Sequence, residues 1–212
     1  MTEWGEFFYN IISSVGRVAL GVAVGAIVGS FLGIMRFALP QKLQKNLIVN
    51  LILDGPKYPP PIAWIPFVIL FFGIGFLSSV TIVVIAAVPP VFTQVYDSLQ
   101  RLNSRLYLVL QNLEITGTFE FYKISFRALL PELFTGLQIA LGMGWMAVIA
   151  AEMVGGQEGL GYSIQLNRMN LNYQGMLADL VAIGVIGFAL NRIALFLRNK
   201  FCPWRVEINE SR

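Results

Sequence analysis

The sequence predicts an all-α polytopic membrane protein with about five transmembrane helices. Of its 212 residues, 56% are hydrophobic and only 13% are charged, and the mean hydropathy is +0.68. A soluble domain is normally about a quarter charged. The apolar residues fall in runs of roughly 20, the length that an α-helix needs to cross the hydrocarbon core. We therefore expect residues 1–212 to form a single transmembrane domain, with its core at about residues 11–198.

Composition also limits the chemistry of the chain. There is no histidine, and the single cysteine is Cys202. This excludes histidine general bases, Cys/His metal clusters and an internal disulfide, so we expect no catalytic residue, no metal site and no enzyme activity. The net charge of +3 comes from basic residues between the apolar spans. That arrangement is typical of orientation signals rather than of a nucleic-acid surface.

The first span is predicted at about Ser14–Met35 and carries glycine at every fourth position. On a helix such residues form one slowly drifting stripe, which lets a neighbouring helix approach to backbone contact. We expect this stripe to be a packing surface. Its members are Gly21, Gly25, Gly29 and Gly33.

The second span, from about Pro61 to Gly73, is expected to be short and broken. It follows the sequence PPPIAWIP at residues 59–66, in which each proline removes a backbone donor and restrains its predecessor. Irregular backbone at membrane depth is tolerated only inside protein or beside a water-filled cavity. This predicts that the segment, with Trp64, lies near a transport pathway; the alternative is a plain kinked helix.

Three further spans complete the prediction. The third covers about Leu77–Tyr96, interrupted by Pro89 and Pro90. The fourth runs from Pro131 to about Val154, and the fifth from about Met176 to Leu197, after a glycine-rich turn segment.

Basic residues predict the orientation. If the N-terminus lies outside and the C-terminus in the cytosol, only Arg17 and Arg168 of the 15 lysines and arginines fall on the outer side. This satisfies the positive-inside rule.

A polar loop at about residues 99–130 separates the third and fourth spans. Gly117 permits a sharp turn, Thr118 is a suitable N-cap, and Glu120 lies in the first turn of the helix that follows. Lys123 and Arg127 share a face with Glu120, beside an aromatic stripe that includes Phe119, Tyr122 and Phe126. Such a helix either docks into a groove of another protein or lies in the headgroup layer.

The chain resembles the permease subunits of binding-protein-dependent ABC importers, in the branch that serves nitrate, bicarbonate, taurine and aliphatic sulfonates. Four segments carry the resemblance: SSVGRVALGVAVGAIVGSFLGIM at 13–35, PPPIAWIPFVILFFGIG at 59–75, LLPELFTGLQIALGMGWMAVIAAEM at 129–153 and GLGY at 159–162. The loop departs from the family's Glu-Ala-Ala triplet, with Gln-Asn-Leu at residues 111–113.

This resemblance implies a type I ABC importer permease fold with a cytosolic coupling helix that docks on an ATPase. The coupling residues it implies are Glu114, Gly117, Thr118, Glu120, Tyr122, Lys123, Arg127 and Pro131. The expected partners are ABC ATPase subunits, a periplasmic or lipid-anchored binding protein, a second permease copy and membrane lipid. No G-x-x-x-x-G-K-[ST] motif occurs, so ATP is expected on the ATPase and no cofactor on this chain. The expected location is a bacterial inner membrane.

The fourth span predicts pathway-lining residues. Gln138, Trp145 and Glu152 recur at intervals of seven and form one polar and aromatic stripe. Near the end of the span, Glu152 is either a pathway residue or a structural ion pair, with Arg168 as a candidate partner. Asp179 in the fifth span has the same two interpretations.

The substrate implied by the resemblance is a small anion. Alternatives are an ABC permease for a neutral thiamine-pyrimidine precursor and an ion-coupled secondary transporter. The latter favours paired mid-membrane charges and inverted repeats. A membrane enzyme or an assembly scaffold fits less well, because there is no clustered acidic site and a scaffold needs no proline-broken spans.

Overall fold

The computed structural model describes residues 3–44, 46–112 and 118–203. Within these ranges the chain is helical and has no β-strand, which confirms the all-α class. The α-helices are α1 (Glu3–Ala38), α2 (Gln41–Gln44), α3 (Leu47–Asp54), α4 (Ile65–Phe72), α5 (Phe76–Asn112), α6 (Thr118–Gly155), α7 (Leu160–Met169) and α8 (Tyr173–Phe201). Two 3-10 helices, Gly55–Lys57 and Pro61–Trp64, lie between α3 and α4.

Four helical stretches of the described chain are long and apolar enough to cross a membrane. They are Trp4–Ala38, Phe76–Leu102, Leu129–Gly155 and Tyr173–Phe201. The predicted second span is a 4-residue 3-10 helix joined to the 8-residue α4. Together these cover about 20 Å, less than the hydrocarbon core of about 30 Å. The second of the five predicted spans is therefore a short apolar segment of two helix types, not one kinked helix.

The glycine stripe of α1 lies against α5. Four glycines share this face: Gly21, Gly25, Gly29 and Gly33. A Cβ at Gly25 would lie 2.6 Å from the Cβ of Ala87, and one at Gly29 would lie 2.8 Å from the carbonyl oxygen of Val88. Because such distances are closer than van der Waals contact, only glycine lets the two backbones approach this far.

Helix α5 is the centre of the bundle, packed between α1 and α6. The side chains of Val83, Ala87 and Val91 are fully buried there, and Val148 of α6 completes the contact. Gly144 of α6 is equally close, since a Cβ at this position would lie 3.1 Å from side chains of both α1 and α5. These three helices form the core that positions the polar clusters described below.

The predicted interruption of the third span was wrong. α5 is continuous through Pro89 and Pro90, which were expected to interrupt it. The missing N–H groups remove only two helical hydrogen bonds, and packing against α1 and α6 on both sides holds the helix together. The loop expected at residues 99–130 is largely helical, because α5 continues to Asn112 and α6 begins at Thr118.

Candidate functional site

The predicted coupling segment is helical where the structure describes it. Thr118, Glu120, Tyr122 and Lys123 lie in the first two turns of α6, which continues without a break into the membrane-spanning part. Glu114 and Gly117 lie outside the described residues. The helix predicted from Thr118 and the span predicted from about Pro131 form one continuous helix, whose apolar stretch is Leu129–Gly155. Its docking on an ATPase stays a prediction.

Around Pro131 the helix is reinforced. Pro131 is buried and lacks the N–H that would bond to the carbonyl of Arg127, whose side chain is exposed. The hydroxyl of Thr135 donates to the carbonyl oxygen of Pro131 at 3.0 Å. The segment from Arg127 to Thr135 is thus a continuous connection between the polar start of α6 and its apolar part.

Near the end of α6, a buried arginine of α1 bridges two carboxylates. Arg17 is 1% exposed. Its Nη1 lies 2.7 Å from Oε1 of Glu152, and its Nη2 lies 2.7 Å from Oε1 of Glu158, in the connection between α6 and α7. Nη1 also donates to the carbonyl oxygen of Glu158 at 2.8 Å. The guanidinium of Arg17 therefore connects α1 to α6 and to the segment between α6 and α7.

Uncharged groups complete this arrangement around Glu152. The hydroxyl oxygen of Ser14 lies 2.9 and 2.8 Å from the two carboxylate oxygens, and the N–H of Gly161 donates to Oε2 at 3.0 Å. The N–H of Leu160 donates to the oxygen of Ser14 at 2.9 Å. We call Ser14, Arg17, Glu152 and Glu158 the Arg17 cluster. It fastens α1 to the end of α6 and the start of α7.

These contacts decide where Glu152 finds its partner. Arg168 is exposed on α7 and is not that partner, so the expected pairing was wrong. Glu152 is 1% exposed and both its oxygens are hydrogen-bonded within the chain. The geometry favours a structural ion pair, and a pathway role for Glu152 is untested. Sequence periodicity could not have found Arg17, because nothing in it brings α1 beside the end of α6.

Glu158 is the accessible member of the cluster, with a side chain 31% exposed. The pKa of its carboxyl is held below its usual range, first by the hydrogen bond from the hydroxyl of Tyr9. Partial desolvation opposes this shift, and the hydroxyl of Ser13 and the charge of Arg17 add to it. Glu158 is therefore held as an anion.

The other two members of the predicted pathway stripe face α8. The side-chain amide of Gln138 donates to Oδ1 of Asn191 at 2.9 Å. The indole N–H of Trp145 donates to the carbonyl oxygen of Ile183 at 3.1 Å, and the side chain is 6% exposed. Gly187 makes room for this ring, since a Cβ there would lie 2.9 Å from the indole nitrogen. Within one chain the stripe joins α6 to α8, and its role in transport stays a prediction.

Trp64 ends the 3-10 helix before α4 and is partly buried against the Ile65 and Val68 cluster. Its indole nitrogen is buried without a hydrogen-bond partner among the described residues. Buried indole N–H groups normally find an acceptor. The pathway role expected for Trp64 stays a prediction.

A second arginine cluster lies at the C-terminal end of α1. Arg36 is 7% exposed and pairs with Asp54 at the end of α3, and its guanidinium lies 4.4 Å from the ring centroid of Tyr96. Lys57 also pairs with Asp54, at 2.6 Å. Burial would raise the pKa of Asp54, but the hydrogen bonds from Arg36 and Lys57 outweigh burial and hold it below its usual value. We call Arg36, Asp54, Lys57 and Tyr96 the Arg36 cluster.

A polar cavity of about 530 Å³ opens at the end of the bundle where α7 lies. It is bounded by the start of α1, by α7 and by the first turns of α8. α7, one of its walls, was not predicted from the sequence. Asp179 lines the cavity and is 2% exposed. The described residues contain no group of three carboxylate, cysteine or histidine side chains placed to hold a metal ion.

Comparison with known proteins places this architecture in a family. The profile of the binding-protein-dependent transport system inner membrane component matches residues 21–203. The chain belongs to this family. The protein is thus a polytopic membrane permease subunit, its partners are an ATPase and a substrate-binding protein, and ATP hydrolysis resides on a separate subunit.

Curated relatives cover most of the chain. A putative ABC transporter permease of Methanocaldococcus jannaschii is 29% identical over 95% of this chain and 74% of its own length. A putative aliphatic sulfonates transport permease of Bacillus subtilis is 26% identical over 95% and 72%. The nitrate import permease of Leptolyngbya laminosa is 29% identical over 92% and 69%.

The fold is also that of a solved transporter. A chain of the MetNI methionine ABC transporter in an inward-facing conformation superposes with a TM-score of 0.76. The match covers 95% of this chain and 99% of that one, at 18% identity. The predicted type I ABC importer permease fold is confirmed.

Proposed function

We propose that the transported substrate is a small anion, namely nitrate, bicarbonate or an aliphatic sulfonate, or taurine, whose sulfonate is accompanied by an ammonium group. The observation that carries this proposal is similarity over more than nine-tenths of the chain to permeases named for nitrate and for aliphatic sulfonates. Relatives named for taurine and bicarbonate transport also match. Family membership argues against the alternative of an ion-coupled secondary transporter, because this family belongs to binding-protein-dependent systems.

The proposed assembly is a homodimer of this chain in an inner membrane, with two ATPase subunits on the cytosolic side. The N-terminus lies outside, so the Arg17 cluster and the polar cavity face the binding protein, and the Arg36 cluster faces the cytosol. The apolar surface of α8 supports a second copy or lipid as its neighbour. Only 6% of its most apolar stretch is buried in one chain, against 50% for α5.

The first turns of α6 are the proposed coupling element. They begin a helix that runs unbroken to the Arg17 cluster, from Thr118 to Gly155. A movement of the ATPase against the start of this helix would therefore displace α6 as a unit, because no flexible loop separates its two ends. The chain itself binds no cofactor in this proposal, and ATP is hydrolysed on the partner.

Charge reversal tests the coupling element. Glu120→Lys, Lys123→Glu and Arg127→Glu together should release the ATPase in co-purification, since these residues share one face of the helix. Arg168→Glu at the opposite end is the matched control and should leave the ATPase bound. Undiminished ATPase recovery with the triple variant, when the permease is inserted at normal levels, would reject this docking surface.

Substrate class is tested by ATP hydrolysis in liposomes that hold the permease, the ATPase and the binding protein. Nitrate, bicarbonate, taurine and ethanesulfonate are compared at equal concentration with a neutral pyrimidine precursor of thiamine. We expect at least one anion to stimulate hydrolysis and the neutral compound to leave it unchanged. Stimulation by the neutral compound alone would overturn the anion assignment.

A further inference from the structure

The polar cavity has the size of a small-molecule site. Its volume of about 530 Å³ falls within the range of roughly 300–1,000 Å³ that ligand pockets occupy. One chain forms all of its walls. The polar side chains that matter for its chemistry are Glu6, Asn10, Glu158, Asn167, Asn172 and Asp179.

Asp179 is a buried carboxylate without a cation. Its Oδ2 accepts hydrogen bonds from the hydroxyl of Ser163 at 2.8 Å and from the amide of Asn167 at 2.9 Å. Among the described residues none donates to its Oδ1, and no lysine or arginine pairs with it. Burying an unpaired charge is costly, so such groups normally have a charged partner. Because Asp179 lines the cavity, the missing partner can reach it from there.

The rest of the lining adds negative charge. Within the described part of the chain, Glu158 pairs with Arg17 alone and shares it with Glu152, so one positive charge serves two carboxylates. Glu6 is exposed at the margin, and no lysine or arginine lines the cavity. The walls therefore repel anions and attract cations.

Three amide oxygens of the lining already accept hydrogen bonds within the chain. Oδ1 of Asn10 accepts the N–H of Gly159 at 2.9 Å, and Oδ1 of Asn172 accepts that of Gly175 at 3.1 Å. Oδ1 of Asn167 accepts the amide of Asn172 at 3.2 Å. A bare metal ion needs several oxygen ligands close together, and the described residues hold no group of three carboxylate, cysteine or histidine side chains that could supply them. An ammonium group needs fewer oxygen atoms around it than a metal ion does, because it donates only three hydrogen bonds.

We propose that the cavity binds the organic ammonium group of a small solute, with Asp179 as its counter-ion. Phe7, Leu166 and Ala178 supply apolar wall for the carbon chain of the solute. Among sulfonates, the cavity would bind those that carry an amine more tightly than those that do not. The inference relies on the proposed function only for its use in transport, since binding does not require the ATPase or the binding protein.

Isothermal titration of the purified full-length chain in lipid nanodiscs tests this binding. The probes are 2-aminoethanesulfonate and ethanesulfonate, which differ only in the ammonium group, and ethylammonium, which lacks the sulfonate. We expect both amines to bind and ethanesulfonate to bind at least tenfold more weakly. Because ATP hydrolysis plays no part in this assay, its failure is distinct from failure of the proposed transport function.

Two variants locate the site. Asp179→Asn keeps the size of the side chain and should weaken ethylammonium binding at least tenfold. Glu6→Gln, at an exposed position, should weaken it a few-fold through the loss of one charge. Asp97→Asn removes one carboxylate from α5, which does not line the cavity, and should leave the affinity unchanged.

Four results would overturn the proposal. One is equal affinity for ethanesulfonate and 2-aminoethanesulfonate, and a second is displacement of ethylammonium by sodium at equal concentration. A third is unchanged affinity in a folded Asp179→Asn variant. If that variant does not fold, Glu6→Gln decides, and unchanged affinity there is the fourth.

Discussion

The two arginine clusters on α1 neutralise their charge in different ways. Near the middle of α1, Arg17 is 1% exposed and is held by two carboxylates that lie 135 and 141 residues away in the sequence. In the last turn of α1, Arg36 pairs with Asp54, only 18 residues away, and lies over the ring of Tyr96. Both arginines are buried, but the first ties distant helices together and the second fastens a neighbouring connection.

The difference lies in what remains when the arginine is lost. Without Arg17, Glu152 is a fully buried carboxylate with no cation near it. Without Arg36, Asp54 keeps Lys57 at 2.6 Å and is itself partly exposed. An ion pair in the interior stabilises mainly by preventing an uncompensated charge, whereas a partly exposed carboxylate with a second cation beside it can lose one partner at smaller cost.

The largest effect is expected from Arg17→Met. It leaves Glu152 buried and unpaired, so the free energy of unfolding should fall by about 3–5 kcal/mol. Thermal or denaturant unfolding in detergent measures this, with Arg168→Met as an exposed control of the same chemistry. If both variants unfolded alike, the Arg17 cluster would not hold the bundle together.

Substitutions in the stretch of α1 between the two arginines should have the next largest effect on stability. Gly25→Ala places a Cβ 2.6 Å from that of Ala87, and the overpacking should cost about 1–3 kcal/mol. Gly16→Ala is the matched control, because a Cβ at Gly16 meets nothing within 4 Å. That variant should be neutral or slightly stabilising through its higher helix propensity. Equal stability of the two alanine variants would show that α1 and α5 can separate without cost.

Arg36→Met should have a smaller effect than Arg17→Met. The free energy of unfolding should fall by about 1–2 kcal/mol, because the variant loses one ion pair and the contact with the Tyr96 ring. Arg36→Lys should restore only part of it, because lysine lacks the planar group that stacks on the ring. The same unfolding assay checks this order, and a loss as large as that of Arg17→Met would contradict the comparison.

The smallest expected effect is a pH dependence at the Arg17 cluster. The pKa of Glu158 is depressed in the folded protein, so its stabilising contribution is present above the unfolded pKa of about 4.5 and is lost as pH falls through the folded pKa. Glu158→Gln should therefore be less stable than the parent at pH 7, and the difference in unfolding free energy should narrow as pH falls below about 4.5 and vanish below the folded pKa. A difference that stays constant as pH falls from 7 to well below 4.5 would refute the assigned charge state.

Local patterns were sufficient for some elements and not for others. The spacing of the glycines predicted a packing face, and the structure places that face against α5. The apolar runs located the four long spans. The continuous α5 and α6 were missed because a sequence shows the prolines and the polar loop but not the neighbouring helices that hold the backbone in place.

The polar residues divide in the same way. Sequence alone selected Glu152, Asp179 and Trp145 as unusual within apolar spans, since polar and ionisable groups in a membrane need a reason to be there. The identities of their partners, Arg17 for Glu152 and Ser163 for Asp179, came only from the tertiary structure.

The all-α membrane class and the approximate spans were thus determined by the sequence itself, because hydrophobicity and helix length depend only on the residues in each run. The ion pairs, the cavity and the direction in which each polar stripe faces were decided by how the helices assemble. The physical reason is range: periodicity describes one helix at a time, whereas the charge balance of a buried site depends on helices more than a hundred residues apart.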